Sequence, residues 1–426
     1  MLIRFEVANF RSVLDPVELS MVAVDRDRAE AHPVANLGQS LLAVAAVYGP
    51  NASGKSNLLA ALTWLHRAIR VSLRGWDDEI PVEPFAFSDG PQRPSEFTVE
   101  YVIDGVRFEY ALEVDRQAVH YEGLFHYPEK KRRRIFERER DELILQRGLG
   151  RLSGTRELLT PRSLALSIAR RFDEPLVSSF SHHLLATHAQ LARRMHQPWL
   201  TGSTTSTWHW FDERNQLPIP ELDKSYRYGY TDRKQALALL QLADLGINDV
   251  IIDREEIEFS GFDGERSHAG TRLRTRFLHH TESGAMPLDF ADESEGTRTW
   301  YNLIGPVLHA LRNGSLLLFD ELDASLHPTL CAELIRLFYN PKTNPHGAQL
   351  VFTAHDTSLL NHLNRDEVWL TEKRKDGTTR LGALAEFAGE RVRRSQNLER
   401  AYLHGRFGAL PDVDRTDFLR SLGLIG

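Results

Sequence analysis

Cysteine is almost absent from this chain of 426 residues, which carries only Cys331. A lone thiol excludes an internal disulfide and suits a reducing compartment. It falls in a helical pattern after Pro328, where it reads as a small core residue rather than a nucleophile. Long apolar runs are also missing. None could span a bilayer, and no basic-then-apolar leader follows Met1, so the expectation is a cytoplasmic protein with no membrane partner. An excess of basic charge is lacking as well: the net charge is −7 and the sequence pI about 6.2. That balance argues against a constitutive, high-affinity DNA binder, so a nucleic-acid contact would need a local patch. The one candidate is Lys130-Lys-Arg-Arg-Arg134 with Arg138 and Arg140, and Glu129, Glu137 and Glu139 interleave with it as on a solvated hairpin. No internal repeat or low-complexity segment occurs.

What is present is an ordinary globular composition, 42% apolar and 26% charged, in a chain long enough for two or three subdomains. The most informative stretch is Gly49-Pro-Asn-Ala-Ser-Gly54-Lys55-Ser56, which satisfies the phosphate-loop pattern G-x-x-x-x-G-K-[ST] in full. The apolar run Leu41 to Tyr48 before it reads as a buried strand, and Asn57 to Ile69 after it as a helix. Strand, Gly-rich turn and helix N-terminus together form an anion cradle. Asn51, Ala52, Ser53 and Gly54 supply its backbone, Lys55 a cation for phosphate oxygens, and Ser56 a hydroxyl for Mg²⁺.

The opening Leu2 to Phe10 alternates as a strand ending in Asn9-Phe-Arg-Ser12. From Glu96 to about Arg138 short alternating runs continue, with Asp104-Gly105 as a hairpin signal. Residues from about 150 to 243 have helical spacing, apart from a Pro- and Trp-containing loop between His196 and Tyr230. Strands resume after Gly246. Ser315-Leu-Leu-Leu-Phe-Asp320-Glu321 then reads as a Walker B strand, buried on both faces. Asp320 would hold Mg²⁺ through water, and Glu321 would act as general base on the attacking water. Gln349 to His355 is a further core strand, whose terminal His355 can reach a γ-phosphate. His182-His183 and His279-His280 have no partner at metal-ligand spacing and read as surface histidines.

The order of these motifs resembles the ABC-type ATPases, within them the SMC-like and OLD-like branch, and more specifically the RloA and AbiL type of phage-defence ATPase. The matching blocks are Asn9 to Ser12, Gly49 to Ser56, Ala243-Asp-Leu-Gly-Ile247, Glu293-Ser-Glu-Gly-Thr297, Asp320 to Pro328, Gln349 to Asp356 and Gly405-Arg-Phe-Gly-Ala409. The resemblance implies an α/β fold, an ABC-type phosphate-loop ATPase head with a mixed sheet, an antiparallel β lobe and a helical insertion. Its divisions would be an N-terminal ATPase lobe at 1–95, the β lobe at 96–148, the helical insertion at 149–243 and a C-terminal ATPase lobe at 244–426. It implies ATP and Mg²⁺ as cofactors and a head-to-tail homodimer or larger homo-oligomer. ATP held by one subunit would be closed by Ser294 and Gly296 of the other, with Asp323 to His327 as a D-loop and Arg11 and Ser12 near the nucleotide.

Departures are visible too. The signature reads Ser-Glu-Gly-Thr-Arg, and no glutamine lies between Asn57 and Pro91 to serve as a Q-loop ligand, a place taken by Phe85 to Phe87. The stretch after His355 is short for a Toprim nuclease, so the implied role is sensor or motor for a separate effector, a nuclease. A DNA-clamping, SMC-like maintenance ATPase is the alternative, disfavoured by acidic charge and the lack of long heptad segments. An ATP-gated scaffold with little turnover is a third, disfavoured by a base at Glu321.

Overall fold

The computed structural model describes residues 1–25, 28–76, 78–190, 206–212, 230–259, 268–282, 284–324, 326–388 and 398–403. The chain opens with β1 (Leu2–Ala8) and β2 (Val17–Ser20), followed by a small hairpin of β3 (Ala31–Val34) and β4 (Gln39–Leu42). β5 (Val44–Tyr48) leads into α1 (Lys55–Gly75), after which β6 (Ser95–Ile103), β7 (Val106–Val114), β8 (Val119–Tyr127), β9 (Arg133–Glu139) and β10 (Glu142–Leu145) run as a meander. These join β1 and β2 in a seven-stranded antiparallel sheet of order β10-β9-β8-β7-β6-β1-β2. In β7, Phe108, Tyr110, Leu112 and Val114 point inward, the period-two burial that the alternation predicts. The turn before β7 has Asp104 at φ 50° and Gly105 at φ 75°, the double left-handed geometry of a tight hairpin.

The next elements are α2 (Ala165–Ala169), α3 (Pro175–Leu185), β11 (His188–Gln190), α4 (Trp208–Phe211) and α5 (Tyr230–Ala243). β12 (Ile247–Phe259), β13 (His268–Thr281) and β14 (Gly284–Asp289) make a separate three-stranded sheet. α6 (Glu295–Asn313), β15 (Leu316–Phe319), α7 (Pro328–Tyr339), β16 (Gln349–Thr353), β17 (Val368–Lys373), β18 (Thr379–Ala383), α8 (Leu384–Ala388) and α9 (Leu398–Leu403) complete the described chain. The central sheet has the order β11-β15-β16-β5-β17-β18. All its pairings are parallel except β17 with β18.

β5 is covered on both faces. Ala45 and Val47 share a core with Leu58, Leu62 and Leu65 of α1 and with the seven-stranded sheet, whereas Val44, Ala46 and Tyr48 share one with Trp300, Ile304 and Val307 of α6. That is why the run into the loop has no polar residue. Contrary to the single strand expected over Leu41 to Tyr48, the run is divided at Ala43: β4 pairs with β3, and β5 with β16 and β17. Two different sheet partners cannot be served by one straight strand.

The helical stretch expected after residue 150 is interrupted as well. α3 stops at Leu185, and His188–Gln190 is a strand beside β15, where open backbone groups outcompete continued helical spacing. The loop expected between His196 and Tyr230 contains α4 at Trp208–Phe211. The helices α2 and α3 lie in the same core as the seven-stranded sheet, through Leu164, Leu166, Val177, Phe180 and Leu184. A buried ion pair supports that join: Glu122 accepts from Ala165 N (2.6 Å) and Leu166 N (2.8 Å) and lies 3.9 Å from Arg138. Arg138 is therefore core structure. Arg132 and Arg134 pair with Glu109 and Glu137, so three cations of the basic run are already engaged.

Around β11, His188 packs edge-on to His309 with ring centroids 4.7 Å apart, and a His66 ring nitrogen lies 3.0 Å from Leu185 O. Burial lowers His188 to about 3 and His66 and His309 each to about 4, helped by neighbouring positive charge. These imidazoles are neutral in the folded chain, whereas unfolded histidine takes up a proton near pH 6.5. Their contribution is thus complete above about pH 6.5 and is lost as pH falls toward 4. Melting temperature is expected to drop over that window, and to drop less in His188→Phe, measured by thermal denaturation at stepped pH.

Candidate functional site

The ends of three adjacent parallel strands, β15, β16 and β5, carry the loop, the acidic pair and His355. Ligands in open α/β sheets bind at such C-terminal strand ends. The Gly49–Ser56 turn is built from positive-φ residues: Gly49 at 152°, Ala52 at 63° and Gly54 at 103°. Only glycine fits at two of them. A Cβ on Gly49 would lie 2.3 Å from Thr371 Oγ1, and one on Gly54 2.2 Å from Thr379 Oγ1. Those threonines brace the loop from β17 and β18: Ser53 Oγ is 2.6 Å from Thr371 Oγ1, and Thr379 Oγ1 donates to Ser53 O at 2.9 Å.

Lys55 folds over the turn, and its ammonium donates to Gly49 O (2.8 Å) and Pro50 O (3.1 Å). Burial lowers its pKa, against the opposing pull of Glu321, Asp320 and Asp323. Ser56 Oγ donates to Asp320 Oδ1 at 2.9 Å, and Thr353 Oγ1 donates to the same oxygen at 2.7 Å. Thr353 Oγ1 also accepts from Glu321 N at 2.7 Å, fixing the residue that follows Asp320. Glu321 takes φ 57°, a left-handed conformation that costs a non-glycine residue about 1–2 kcal/mol. Its carbonyl accepts from Ala324 N at 3.0 Å, so the turn after β15 holds it there.

Asp323 is directed within its own chain, its Oδ2 accepting from His355 N (2.8 Å) and Asp356 N (2.6 Å). It thereby ties the Asp-Glu turn to the end of β16 and leaves the His355 side chain exposed. His327 caps α7, its ring accepting from Thr329 N at 3.3 Å. Cys331 is buried behind this turn, and burial, with Asp323 and Asp356 nearby, pushes its thiol up to about 12. It stays protonated and is no nucleophile.

Other expected residues are placed differently. Arg11, at φ 51°, turns its guanidinium to Glu83 with a 2.8 Å ion pair. It is Ser12 that meets the loop: its Oγ accepts from Asn57 Nδ2 at 2.7 Å and lies 2.8 Å from Thr379 Oγ1. Asn9, fully buried, donates to Gly90 O and Arg93 O and accepts from Phe85 N, so it anchors the segment carrying Phe85 to Phe87. Ser294 caps α6, its Oγ accepting from Thr297 N at 3.1 Å. It is exposed, Gly296 is half-buried, and neither bonds to the Gly49–Ser56 loop of the same chain. The Gly405 to Ala409 block lies outside the described residues. His279, expected as a surface histidine, instead places Nε2 2.5 Å from Glu293 Oε1, a partner from a different element.

The donor set at the loop suits a phosphate with a hard divalent cation. The Lys55 ammonium lies over the turn, and a hydroxyl and a carboxylate, those of Ser56 and Asp320, face each other at its rim. Oxygen donors of this kind are those Mg²⁺ takes.

Residues 44–361 match the family described as "AAA domain, putative AbiEii toxin, Type IV TA system". That span is well over half of the sequence, and the chain belongs to this AAA-domain family. No curated protein matches the sequence. Among solved structures the chain is similar to the SMC head domain from Thermotoga maritima, at 11% identity over 90% of this chain and 98% of that one, with a TM-score of 0.41. It is also similar to the Smc head domain of Pyrococcus furiosus with an extended coiled coil bound to the C-terminal domain of ScpA (12%; 90% and 97%; TM-score 0.39). The third is the Smc head of Pyrococcus yayanosii with a coiled coil and joint (12%; 95% and 99%; TM-score 0.40). These likenesses are too distant to bear on function.

Thr353 is a linchpin that sequence reading did not single out. Thr353→Val keeps its shape but leaves the Glu321 amide without its partner and Asp320 with one donor fewer. A loss of about 1–3 kcal/mol in urea denaturation is expected, the cost of orphaning buried polar groups.

Proposed function

We propose that this chain is an ATPase that binds Mg-ATP on the Gly49–Ser56 loop and hydrolyses it with Glu321. The observation that carries the reading is the shared hydrogen bonding of Ser56, Asp320, Thr353 and the Glu321 amide, which gathers a hydroxyl, a carboxylate and the Glu321 backbone at one rim. Lys55, now spent on Gly49 O and Pro50 O, would turn its ammonium to phosphate oxygens instead. Ser56 and Asp320 would hold Mg²⁺, and His355 would face the terminal phosphate. Bound Mg²⁺ would neutralise charge on the phosphates. Glu321 would orient the attacking water and take its proton. Its strained backbone is in keeping with such a role, since strain of this kind gathers at functional sites.

The exposed Ser294 and half-buried Gly296, neither of which bonds to its own chain's loop, favour a composite site. A second copy would bring this pair to the γ-phosphate in a head-to-tail homodimer. Asp323, bound to the His355 and Asp356 amides, would link the hydrolytic turn to the His355 end of β16. Arg11 is engaged by Glu83 and carries no nucleotide role in this reading. The ATPase would serve as sensor or motor for a separate effector, a nuclease, in phage defence of the RloA and AbiL kind, in the cytoplasm. A family description that names a toxin of a toxin–antitoxin system is in keeping with that setting. No helix among the described residues is long and apolar enough to cross a membrane. The DNA-clamping alternative finds little support in the basic run, of which Arg132, Arg134 and Arg138 are engaged internally.

Two variants test the reading. Lys55→Ala should lose nucleotide binding and phosphate release together. Glu321→Gln should bind ATP as the parent does while phosphate release falls by at least about 100-fold, the scale of general-base loss. Release at the parent rate from Glu321→Gln would refute the assignment of the base.

A further inference from the structure

Two carboxylates and one imidazole converge where the three-stranded sheet meets α6, and none of them belongs to the phosphate-loop site. Asp244 directly follows α5, His279 lies in β13, and Glu293 directly precedes the α6 cap Ser294. The backbone fixes the first two against each other. His280 N donates to Gly246 O at 2.9 Å, and Ile247 pairs with His279 in the β12–β13 ladder. Asp244 Oδ1 accepts from Gly246 N at 2.8 Å, which orients that carboxylate. One ligand atom from each of Asp244, His279 and Glu293 lies within 4.8 Å of the other two.

The charge of this cluster is uncompensated. Glu293 has a side chain only 5% exposed, and among the described residues its carboxylate has no hydrogen-bond or ion-pair partner except His279, itself 21% exposed. No lysine or arginine of the described residues forms an ion pair with Glu293 or Asp244. Two carboxylates beside one imidazole keep a net negative charge even when the imidazole is protonated. Glu293 is the buried member, and withholding a carboxylate from water is unfavourable without a compensating cation.

We propose that Asp244, His279 and Glu293 form a binding site for a divalent transition-metal ion such as Zn²⁺ or Mn²⁺. One nitrogen and two oxygen donors suit those ions, whereas Mg²⁺ and Ca²⁺ prefer oxygen alone. Small rotations of the two carboxylates bring three donors onto one ion at the about 2.0–2.2 Å such bonds require. The ion would staple the end of α5, strand β13 and the start of α6. Those helices already touch through Trp300 Nε1, which donates to Leu239 O at 2.6 Å. Bound metal would thus fix the segment that presents Ser294, and its binding requires no nucleotide.

Equilibrium dialysis of the full chain against ZnCl₂ or MnCl₂, without nucleotide, tests this directly. The parent and Asp320→Asn should each bind about one ion per chain, since the nucleotide-site carboxylate is not a ligand here. His279→Ala, Glu293→Gln and Asp244→Asn should each bind at least about tenfold more weakly. Equal binding by His279→Ala and the parent, loss of binding in Asp320→Asn alone, or no binding by the parent would each overturn the proposal. A second readout avoids dependence on the folding of those variants. Zn²⁺ should raise the melting temperature of Asp320→Asn, and no rise would overturn the site. Neither measurement involves ATP turnover, so its failure leaves the ATPase reading to its own test.

Discussion

One carboxylate oxygen organises the candidate site. Asp320 Oδ1 accepts from Ser56 at the start of α1 and from Thr353 at the end of β16, while Asp320 itself directly follows β15. Three elements distant in sequence are therefore registered at a single atom. The Thr353 hydroxyl passes that registration on to the Glu321 amide, and Asp323 extends it to the His355 and Asp356 amides. Without this oxygen, the loop, the acidic pair and the histidine would be three separate strand ends.

The sheet beneath makes such precision affordable in physical terms. β5 is packed on both faces, between the α1 core and the α6 core, so its end cannot drift relative to β15 and β16. Interiors of this density transmit displacement instead of absorbing it. The strained Glu321 backbone persists because a buried strand on one side and the Asp323 turn on the other hold it. The threonines of β17 and β18 press on the loop from the far side, where glycine alone leaves room.

Much of this was legible in sequence because it is local. The Gly49–Ser56 turn, the strand before Asp320-Glu321 and the strand before His355 are each read from a short window whose pattern follows from one physical need. The Asp104-Gly105 hairpin and the alternating β7 were legible for the same reason. What escaped is non-local. Thr371 and Thr379 reach the loop from more than 300 residues away, and nothing in their neighbourhood marks them. Arg11 sits in a matching motif, yet Glu83 claims its side chain. His279 lacked a partner at ligand spacing because Asp244 and Glu293 come from other elements. β11 was hidden inside helical spacing because its reason is the open edge of β15.

In the proposed dimer a second copy completes the site, with exposed Ser294 and half-buried Gly296 facing the nucleotide held on Lys55 and Ser56. The most direct measurement is the solution mass of Glu321→Gln by light scattering, with and without Mg-ATP. A composite site gives an ATP-dependent step up in mass, lost when Ser294→Arg is added. A monomer in both conditions would contradict the composite site, and an unchanged oligomer in both would show that other surfaces hold the copies together.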